Sequence, residues 1–318
     1  MPVTVRSFAK INVGLHIGGL RPDGFHELRT VYQTIALHDV IRVRVGRGDG
    51  IEIRCEDPRV PADSTNTCYR SVERAMAALG IKVKVVIEID KRLPVQGGLG
   101  GASGNAVATL LAFERAAKKT LPGADRLRIA AEVGSDLPLF LIGGTVLGIG
   151  RGEDVYPLSD LPANACVLAT PEVGVSTPKA FTDWDLLQTK LTPSSASDRM
   201  NEFSRTVSAW LSGRSGVPGS RSRGRAETLL LDLVRTGIEN DFERVVFPQY
   251  PELREVKRVL EREGAFYASL SGSGSAIYGL FRARAAAVKA AARLKASGVP
   301  AVATTTLTRW QYWERIFD

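Results

Sequence analysis

The chain has 318 residues, of which 44% are hydrophobic and 24% are charged, a composition typical of a folded globular protein. Its length exceeds that of most single cores, so we expect two domains. The longest apolar run, residues 137–150, is too short and too rich in glycine to span a bilayer, and the N-terminal segment lacks a signal-peptide pattern. Three scattered cysteines fit a reducing compartment. The sequence therefore predicts a cytoplasmic protein with no membrane partner.

The net charge of +8 favours an anionic partner, but part of it is concentrated in one basic segment near residues 212–226. This segment is rich in Arg, Gly and Ser, which is typical of a solvated surface insertion. It contains no aromatic residue on which a base could stack, so we expect no nucleic-acid partner. A phosphorylated small substrate accounts for the positive charge equally well.

The N-terminal part of the chain shows strand and helix patterns in turn. Apolar residues at alternate positions from Val3 to Ile17 predict a strand, and the turn sequence RPDG at 21–24 predicts a hairpin into a second strand, 28–37. Further strands are predicted at 39–45, 51–55 and 83–89, and helices at 66–80, from about 103 to 119 and at 125–134.

A second pattern begins near residue 161. It opens with an apolar strand, continues through helical segments to 251–264, and ends with a strand, a glycine turn and a strand across 268–281. An alanine-rich helix at 283–296 and a closing strand, AVATTTLT, complete it. Because strands and helices are segregated and do not alternate strictly, the class is α+β. We predict two domains, 1–160 and 161–318, with the basic insertion in the second.

The stretch QGGLGGASGNA (96–106) is a glycine-rich turn that leads into a helix, which favours an anion site. It is not a P-loop, because no lysine follows its glycines. It also fails the dinucleotide fingerprint, since the third glycine comes one residue late. A flexible turn without ligand remains the alternative for this stretch alone. A second glycine cluster, SLSGSGSA (269–276), has the same chemistry, and the two together favour a bound polyphosphate.

Two charged residues are candidates for catalysis. Asp136 precedes an apolar run, where it would accept a proton, although it or Ser135 could instead cap a short helix. Lys10 is the single charge between Phe8 and Arg21 and is the matching cation, although a lone lysine on a strand could also be solvated. Asn12 lies two positions along the same strand face as Lys10.

Taken together, these segments resemble the GHMP kinase superfamily. SFAKINVGLHIGGLRPDGFHELRTVYQ is similar to the N-terminal signature of the branch that acts on 4-diphosphocytidyl-2-C-methyl-D-erythritol. IDKRLPVQGGLGGASGNA resembles the nucleotide loop, EVGSDLPLFLIGG the catalytic segment, and LSGSGSA the third motif. The resemblance implies a GHMP kinase fold, with an N-terminal domain like ribosomal protein S5 and a C-terminal ferredoxin-like domain. It also implies transfer of the ATP γ-phosphoryl group, with Mg²⁺, to the 2-hydroxyl of that substrate, a step toward isoprenoid precursors.

The resemblance also assigns residues. Lys10 and Asp136 are implied as catalytic, and Asn12, Phe25, His26, Phe181, Gly272 and Gly274 as substrate-binding, with the cytosine hydrogen-bonded by His26 and held between the rings of Phe25 and Phe181. The nucleotide would be bound by Asn66 and by Pro94, Val95, Gln96, Gly97, Gly98, Leu99, Gly100, Gly101, Ala102, Ser103 and Gly104. The metal ligands are not indicated, and a monomer and a homodimer are both compatible with the sequence.

The nucleotide loop departs from the usual family pattern at Gln96, Ala102 and Gly104. Gly104 replaces a serine, so we expect one hydroxyl fewer near the phosphates, and a serine restored there should leave ATP affinity equal or tighter. Three alternatives remain at this stage: a mevalonate-type or homoserine-type kinase, a non-catalytic nucleotide-binding relative, and a nucleic-acid-binding protein. Retention of both Lys10 and Asp136 disfavours a protein that only binds.

Overall fold

The computed structural model describes residues 1–95, 97–188, 200–205, 207–208 and 238–317. Gln96 and the predicted basic insertion near 212–226 lie outside the described residues. Within the described part of the chain, no helix is both long enough and apolar enough to cross a membrane.

The N-terminal part is built on a sheet of six strands. These are β1 (Val3–Leu20), β2 (His26–Gly46), β3 (Ile51–Cys55), β4 (Lys84–Asp90), β5 (Thr145–Ile149) and β6 (Asp154–Pro157). β1 and β2 form the predicted antiparallel hairpin. The predicted break between two strands near residue 38 is wrong, because β2 runs through it with a shift in register opposite Phe8 and Ala9. β2 then pairs with β5 near its start and β4 near its end.

Four helices accompany this sheet: α1 (Thr67–Leu79), α2 (Gly101–Ala117), α3 (Gly123–Val133) and the short α4 (Leu137–Phe140). α2 is buried continuously from Gly104 to Glu114, because it lies between the strands β1 and β2 on one side and α1 on another. A helix that is apolar all round is expected in such a position. α2 therefore has a fixed place in the core, and its N-terminus is held where the glycine loop enters.

The C-terminal part contains an antiparallel sheet in the order β10–β7–β9–β8. Its strands are β7 (Ala165–Ala169), β8 (Tyr267–Leu270), β9 (Ile277–Phe281) and β10 (Ala301–Thr305). The helices are α5 (Thr177–Gln188), α6 (Glu243–Gln249), α7 (Pro251–Arg262) and α8 (Arg284–Ala296). Trp184, Phe242 and Phe281 are central to its core, which also includes Leu15 and Ile17 of β1. This segregation of strands and helices confirms the predicted α+β class.

One more helix, α9 (Arg309–Arg315), follows β10 and was not predicted. Thr308 and Gln311 form a capping box at its start. It packs on the first sheet: the Tyr312 hydroxyl donates to the carbonyl of Phe140 at 2.7 Å, and Arg6 N–H donates to the carbonyl of Ile316 at 2.7 Å. The chain therefore returns to the N-terminal part near residue 306. The segment after that residue packs on the N-terminal part, although the sequence placed it in the second domain.

Candidate active site

A cavity of about 390 Å³ opens at the N-terminus of α2. Most of the residues predicted to bind nucleotide line it together: Asn66, Pro94, Val95, Gly97, Gly98, Leu99, Gly100, Gly101, Ala102 and Ser103. We call residues 94–104 the nucleotide loop. Arg59, Lys91 and the apolar side chains of Val60, Pro61 and Ile89 also line it. One cavity thus combines apolar side chains with a glycine-rich loop, which suits a nucleotide.

The glycine-rich part of the cavity lies at the N-terminus of α2. Gly100 occupies the N-cap of α2 with a φ of 67° and provides no side chain to satisfy the first N–H groups of the helix. Such N–H groups and the helix dipole favour a bound anion. Gly98 has a φ of 76°, and a Cβ there would lie 2.1 Å from the carbonyl oxygen of Ser271. Glycine at position 98 therefore permits both the turn and the close contact of this loop with the segment of Ser271.

Gly104 does not line the cavity. A Cβ at Gly104 would lie 2.9 Å from Ser7 Oγ and 3.0 Å from the carbonyl oxygen of Phe8, so it points at β1. The expectation that a hydroxyl at this position would reach a phosphate is therefore wrong. Glycine suits this position because α2 packs closely on β1.

Asn66 reaches the cavity from α1, where it is the N-cap residue. Its Oδ1 accepts a hydrogen bond from Cys68 N–H at 2.8 Å, and its Nδ2 donates to the carbonyl of Pro61 at 2.6 Å. The side chain is buried. These bonds fix the segment from Pro61 to Thr67 that forms one wall of the cavity.

Lys10, Asn12 and Asp136 come together beside the nucleotide loop. Lys10 is buried, and its Nζ donates to Asn12 Oδ1 at 2.7 Å and lies 3.5 Å from Asp136 Oδ2. Lys10 N–H also donates to the carbonyl of Leu99 at 3.0 Å, which ties β1 directly to the loop. Asn12 is held in turn by Thr30, whose Oγ1 accepts from its Nδ2 at 2.8 Å. The expectation from the sequence that Lys10 is the cation matching Asp136 agrees with this distance.

Asp136 stands at the N-cap position of α4 but makes no capping hydrogen bond with its side chain. Its carboxylate instead accepts a hydrogen bond from the Tyr32 hydroxyl, with a distance of 3.0 Å between Tyr32 Oη and Asp136 Oδ1. The alternative interpretation of Asp136 as only a helix cap is thus not what the structure shows. The carboxylate faces Lys10 and is one-third exposed, so an incoming hydroxyl can reach it.

The third glycine motif packs against the nucleotide loop. We call residues 271–275 the third-motif loop. Ser271 Oγ donates to the carbonyl of Gly98 at 3.0 Å, and a Cβ on Gly274 would lie 2.6 Å from Gly98 N. A Cβ on Gly272 would lie 3.5 Å from both Lys10 Nζ and Asn12 Oδ1. Gly272 therefore adjoins the catalytic candidates, whereas Gly274 permits the contact between the two loops.

The predicted pyrimidine side is formed by the start of β2 and by α5. The rings of His26 and Phe181 are stacked, with centroids 4.9 Å apart and planes 16° from parallel. His26 Nε2 lies 2.7 Å from Asp185 Oδ1. Phe25 is half exposed, and the guanidinium of Arg151 lies 4.9 Å from its ring centre. Phe181 thus contacts His26 directly, and Phe25 lies on the solvent side.

Sequence reasoning missed several residues of this region. Tyr32 and Asp185 were not singled out, and neither was Asn240, whose Nδ2 donates to the carbonyls of Leu270 and Gly272 and so holds the third-motif loop. For Asp185 a signal existed, because it follows Phe181 by four residues in a helix and so shares its face. For Tyr32 the signal was its position on the strand that pairs with the strand of Lys10.

Comparison with protein families identifies the class. The sequence profile "GHMP kinases N terminal domain" matches residues 66–144, and "GHMP kinases C terminal" matches residues 225–299. The first range contains the nucleotide loop and Asp136, and the second contains the third-motif loop. The fold is thus that of a GHMP kinase, a class of small-molecule kinases that use ATP.

Individual relatives narrow the class. The chain is 39% identical over 288 residues to a 4-diphosphocytidyl-2-C-methyl-D-erythritol kinase of Solibacter usitatus (strain Ellin6076), covering 90% of this chain and 83% of the relative. It is 35% identical to the kinase of the same name from Rhodococcus jostii (strain RHA1), covering 94% and 90%. The chain belongs to the family of 4-diphosphocytidyl-2-C-methyl-D-erythritol kinases.

Solved structures agree with this family. A 4-(cytidine 5'-diphospho)-2C-methyl-D-erythritol kinase superposes with a TM-score of 0.72 at 28% identity, over 95% of this chain and 98% of the other. A homoserine kinase from Cytophaga hutchinsonii superposes with a TM-score of 0.73 at 22% identity, over 96% and 95%. At that identity the second likeness shows the fold alone, so it does not favour a homoserine-type activity.

Proposed function

We propose that this kinase transfers the γ-phosphoryl group of ATP to the 2-hydroxyl of 4-diphosphocytidyl-2-C-methyl-D-erythritol. The observation that carries the proposal is the position of Lys10 and Asp136 beside the glycine end of the cavity. The names of the relatives supply the substrate. In the reaction, the hydroxyl oxygen forms a bond to the γ-phosphorus, the bond from that phosphorus to the β,γ-bridging oxygen breaks, and ADP leaves.

In this proposal Asp136 receives the proton of the substrate hydroxyl, because it provides the partly exposed carboxylate beside Lys10 among the contacts described above. Lys10 stabilises negative charge on the phosphoryl group during transfer. Asn12 fixes the Lys10 ammonium through the 2.7 Å hydrogen bond. Phosphoryl transfer depends mainly on such positioning and charge stabilisation, so few residues are needed.

The N–H groups at the start of α2 and the backbone of the nucleotide loop would bind the ATP phosphates. Mg²⁺ fits this site, because it is held largely by the phosphates and needs only one or two protein oxygens. Ser103, which lines the cavity, and Asp136 are the candidate oxygen donors, and the described residues contain no group of three or more metal-ligating side chains. When bound, Mg²⁺ would neutralise phosphate charge. We further propose a cytoplasmic location, which suits the free cysteines Cys55, Cys68 and Cys166.

His26 and Phe181 are proposed to recognise cytosine. Asp185 Oδ1 accepts a hydrogen bond from His26 Nε2, which in a neutral imidazole leaves Nδ1 as an acceptor. An acceptor suits the N4 amino group of cytosine, which donates. Because the Phe181 ring is nearly parallel to the imidazole, a base bonded edge-on to His26 would also present its face to Phe181. Phe25 would cover the opposite face.

The substrate assignment is tested by assaying the purified protein with ATP and Mg²⁺ on three acceptors: the diphosphocytidyl methylerythritol, mevalonate and homoserine. We expect turnover of the first alone, because only that acceptor carries a cytosine for His26 and Phe181. Absence of turnover with the first, or equal turnover of all three, would contradict the proposal.

The role of Asp136 is tested with Asp136→Asn, which keeps the shape of the side chain but accepts a proton poorly. We expect kcat to fall about 100-fold or more, the contribution typical of a general base, while ATP still binds. The measurement is kcat together with the Kd for ATP by calorimetry. A full kcat in this variant would contradict the proposed role of Asp136 as the proton acceptor.

The pyrimidine site is tested with Phe181→Ala. Loss of a stacked ring weakens binding by about 1–3 kcal/mol, so KM for the cytidine substrate should rise about 5- to 100-fold, with KM for ATP unchanged. Phe247→Ala, which removes another aromatic ring of the same C-terminal core, is the control for general destabilisation. An unchanged substrate KM in Phe181→Ala would refute the stacking.

A further inference from the structure

Tyr32 is a buried residue of β2 whose hydroxyl contacts the carboxylate of Asp136. Asp136 begins α4 without a capping hydrogen bond and its side chain is one-third exposed, so its own helix does not fix its orientation. The bond from Tyr32 Oη to Asp136 Oδ1, 3.0 Å long, is the contact that does so. A hydrogen bond to a charged group from a rigid, buried donor is well suited to hold one rotamer.

The surroundings of Tyr32 are shaped to its ring and hydroxyl. Two glycines face it: a Cβ on Gly148 would lie 2.5 Å from Tyr32 Cε2, and a Cβ on Gly152 would lie 2.3 Å from Tyr32 Oη. A side chain at either position would displace the ring or its hydroxyl. The pocket therefore leaves the hydroxyl little room to move away from Asp136.

The two oxygens of Asp136 are thereby given different surroundings. Oδ1 accepts from Tyr32, and Oδ2 lies 3.5 Å from Lys10 Nζ. The Lys10 ammonium lies 5.5 Å from the centre of the Tyr32 ring, so the same aromatic side chain borders both charged groups. We propose that Tyr32 is a positioning residue, which holds Asp136 by Oδ1 so that Oδ2 faces Lys10 and the incoming hydroxyl. This inference rests on the proposed role of Asp136.

The first test is Tyr32→Phe, which removes the hydroxyl and keeps the ring. We expect kcat to fall about 10- to 100-fold, the range for loss of one hydrogen bond to a charged group, with KM for ATP and for the cytidine substrate unchanged. Tyr312→Phe is the matched control, because it also deletes a buried hydroxyl that donates one bond, here to Phe140, away from the carboxylate. Its kcat should equal that of the wild type. An unchanged kcat in Tyr32→Phe, or an equal loss in both variants, would overturn the inference.

The second test uses Gly152. In Gly152→Ala the new methyl group meets the Tyr32 hydroxyl, so kcat should fall as in Tyr32→Phe. Gly152 has a φ of 101°, so alanine there also strains the backbone and lowers Tm in any background. In the Tyr32→Phe background the hydroxyl is gone and the next atom, Cζ, lies 3.6 Å away, so Gly152→Ala should lower kcat no further. Equal losses of kcat in both backgrounds would show that Gly152→Ala does not act on kcat through the Tyr32 hydroxyl.

The two proposals fail in different ways. Full kcat in Asp136→Asn would remove the proposed role of Asp136 and this inference with it. A large loss in Asp136→Asn combined with wild-type kcat in Tyr32→Phe would leave Asp136 in place and remove only Tyr32.

Discussion

The glycines of the nucleotide loop serve different purposes. Gly98 and Gly100 adopt positive φ values beside the cavity, whereas Gly104 faces Ser7 and Phe8 on β1. The sequence pattern could not distinguish these two roles, because it shows which residues are glycine but not the direction in which a Cβ at each position would point. The contact of Lys10 with Asp136 was expected from the charges themselves, since a buried cation requires an anion. Tyr32 was not expected, because an uncharged side chain on a strand gives no sign of a partner 104 residues away.

Gly104→Ser should therefore destabilise the protein and should not tighten ATP binding. Extra atoms forced into a packed interior cost about 1–3 kcal/mol of unfolding free energy. Ala102→Ser is the control, because it adds the same hydroxyl two residues earlier at an exposed position on the cavity wall. Urea denaturation and ATP titration of both variants measure the effect. A Gly104→Ser variant as stable as Ala102→Ser would show that the contact with β1 can relax.

At the scale of elements, one buried carboxylate joins three segments of the N-terminal part. Asp39 of β2 accepts from Arg92 N–H and Leu93 N–H through Oδ1, both at 2.7 Å. Its Oδ2 accepts from Lys91 Nζ at 2.6 Å and from Asn105 Nδ2 at 2.9 Å. The entry to the nucleotide loop and the second turn of α2 are thus attached to the same side chain.

Asp39→Asn should lower both stability and ATP affinity, because it replaces an acceptor with a donor and leaves the Lys91 ammonium buried without its partner. Breaking a buried ion pair in this way costs about 3–5 kcal/mol of unfolding free energy. Asp90→Asn is the control, since the Asp90–Arg92 pair is exposed and should be worth less than about 1 kcal/mol. Urea denaturation compares the two, and equal small losses would contradict the central position of Asp39.

Periodic patterns predicted most helices and strands, including the β1–β2 hairpin and α1, because burial of one face imposes a repeat on the sequence. They did not predict the continuity of β2 through residue 38, since a shift in register interrupts the alternation. α9 was also missed, although Thr308 and Gln311 form a recognisable capping pair. Its short length provides little periodicity, and its packing partner lies at the other end of the chain.

At the scale of the whole molecule, four buried tyrosines among the described residues contribute to the behaviour at high pH, together with the buried thiols of Cys68 and Cys166. Burial raises the pKa of Tyr32, Tyr267, Tyr278 and Tyr312 above the ordinary value of 10. Below pH 10 these hydroxyls are protonated in both states, so their contribution to stability does not change with pH. Above pH 10 the unfolded chain releases the protons and the folded protein keeps them, so the free energy of unfolding falls as pH rises.

Tyr312→Phe should flatten this decline. Removal of one such group reduces the slope by up to about 1.4 kcal/mol per pH unit between pH 10 and 11. Urea denaturation of the wild type and of the variant at pH 8, 10 and 11 gives the two slopes. Tyr156→Phe, at an exposed tyrosine, should leave the slope unchanged. Parallel curves for wild type and Tyr312→Phe would contradict the prediction.

The return of the chain to the first sheet has a consequence for synthesis. The Arg6 side chain donates to the carbonyl of Arg315, and its N–H donates to the carbonyl of Ile316. The same core contains Leu307, Tyr312 and Ile316 together with Phe8 and Phe140. A ribosome makes the nucleotide loop long before it makes these residues. The N-terminal core therefore remains incomplete until the C-terminal part has been synthesised. A nascent chain stalled before residue 306 would expose Phe8 and Phe140 to chaperones and proteases.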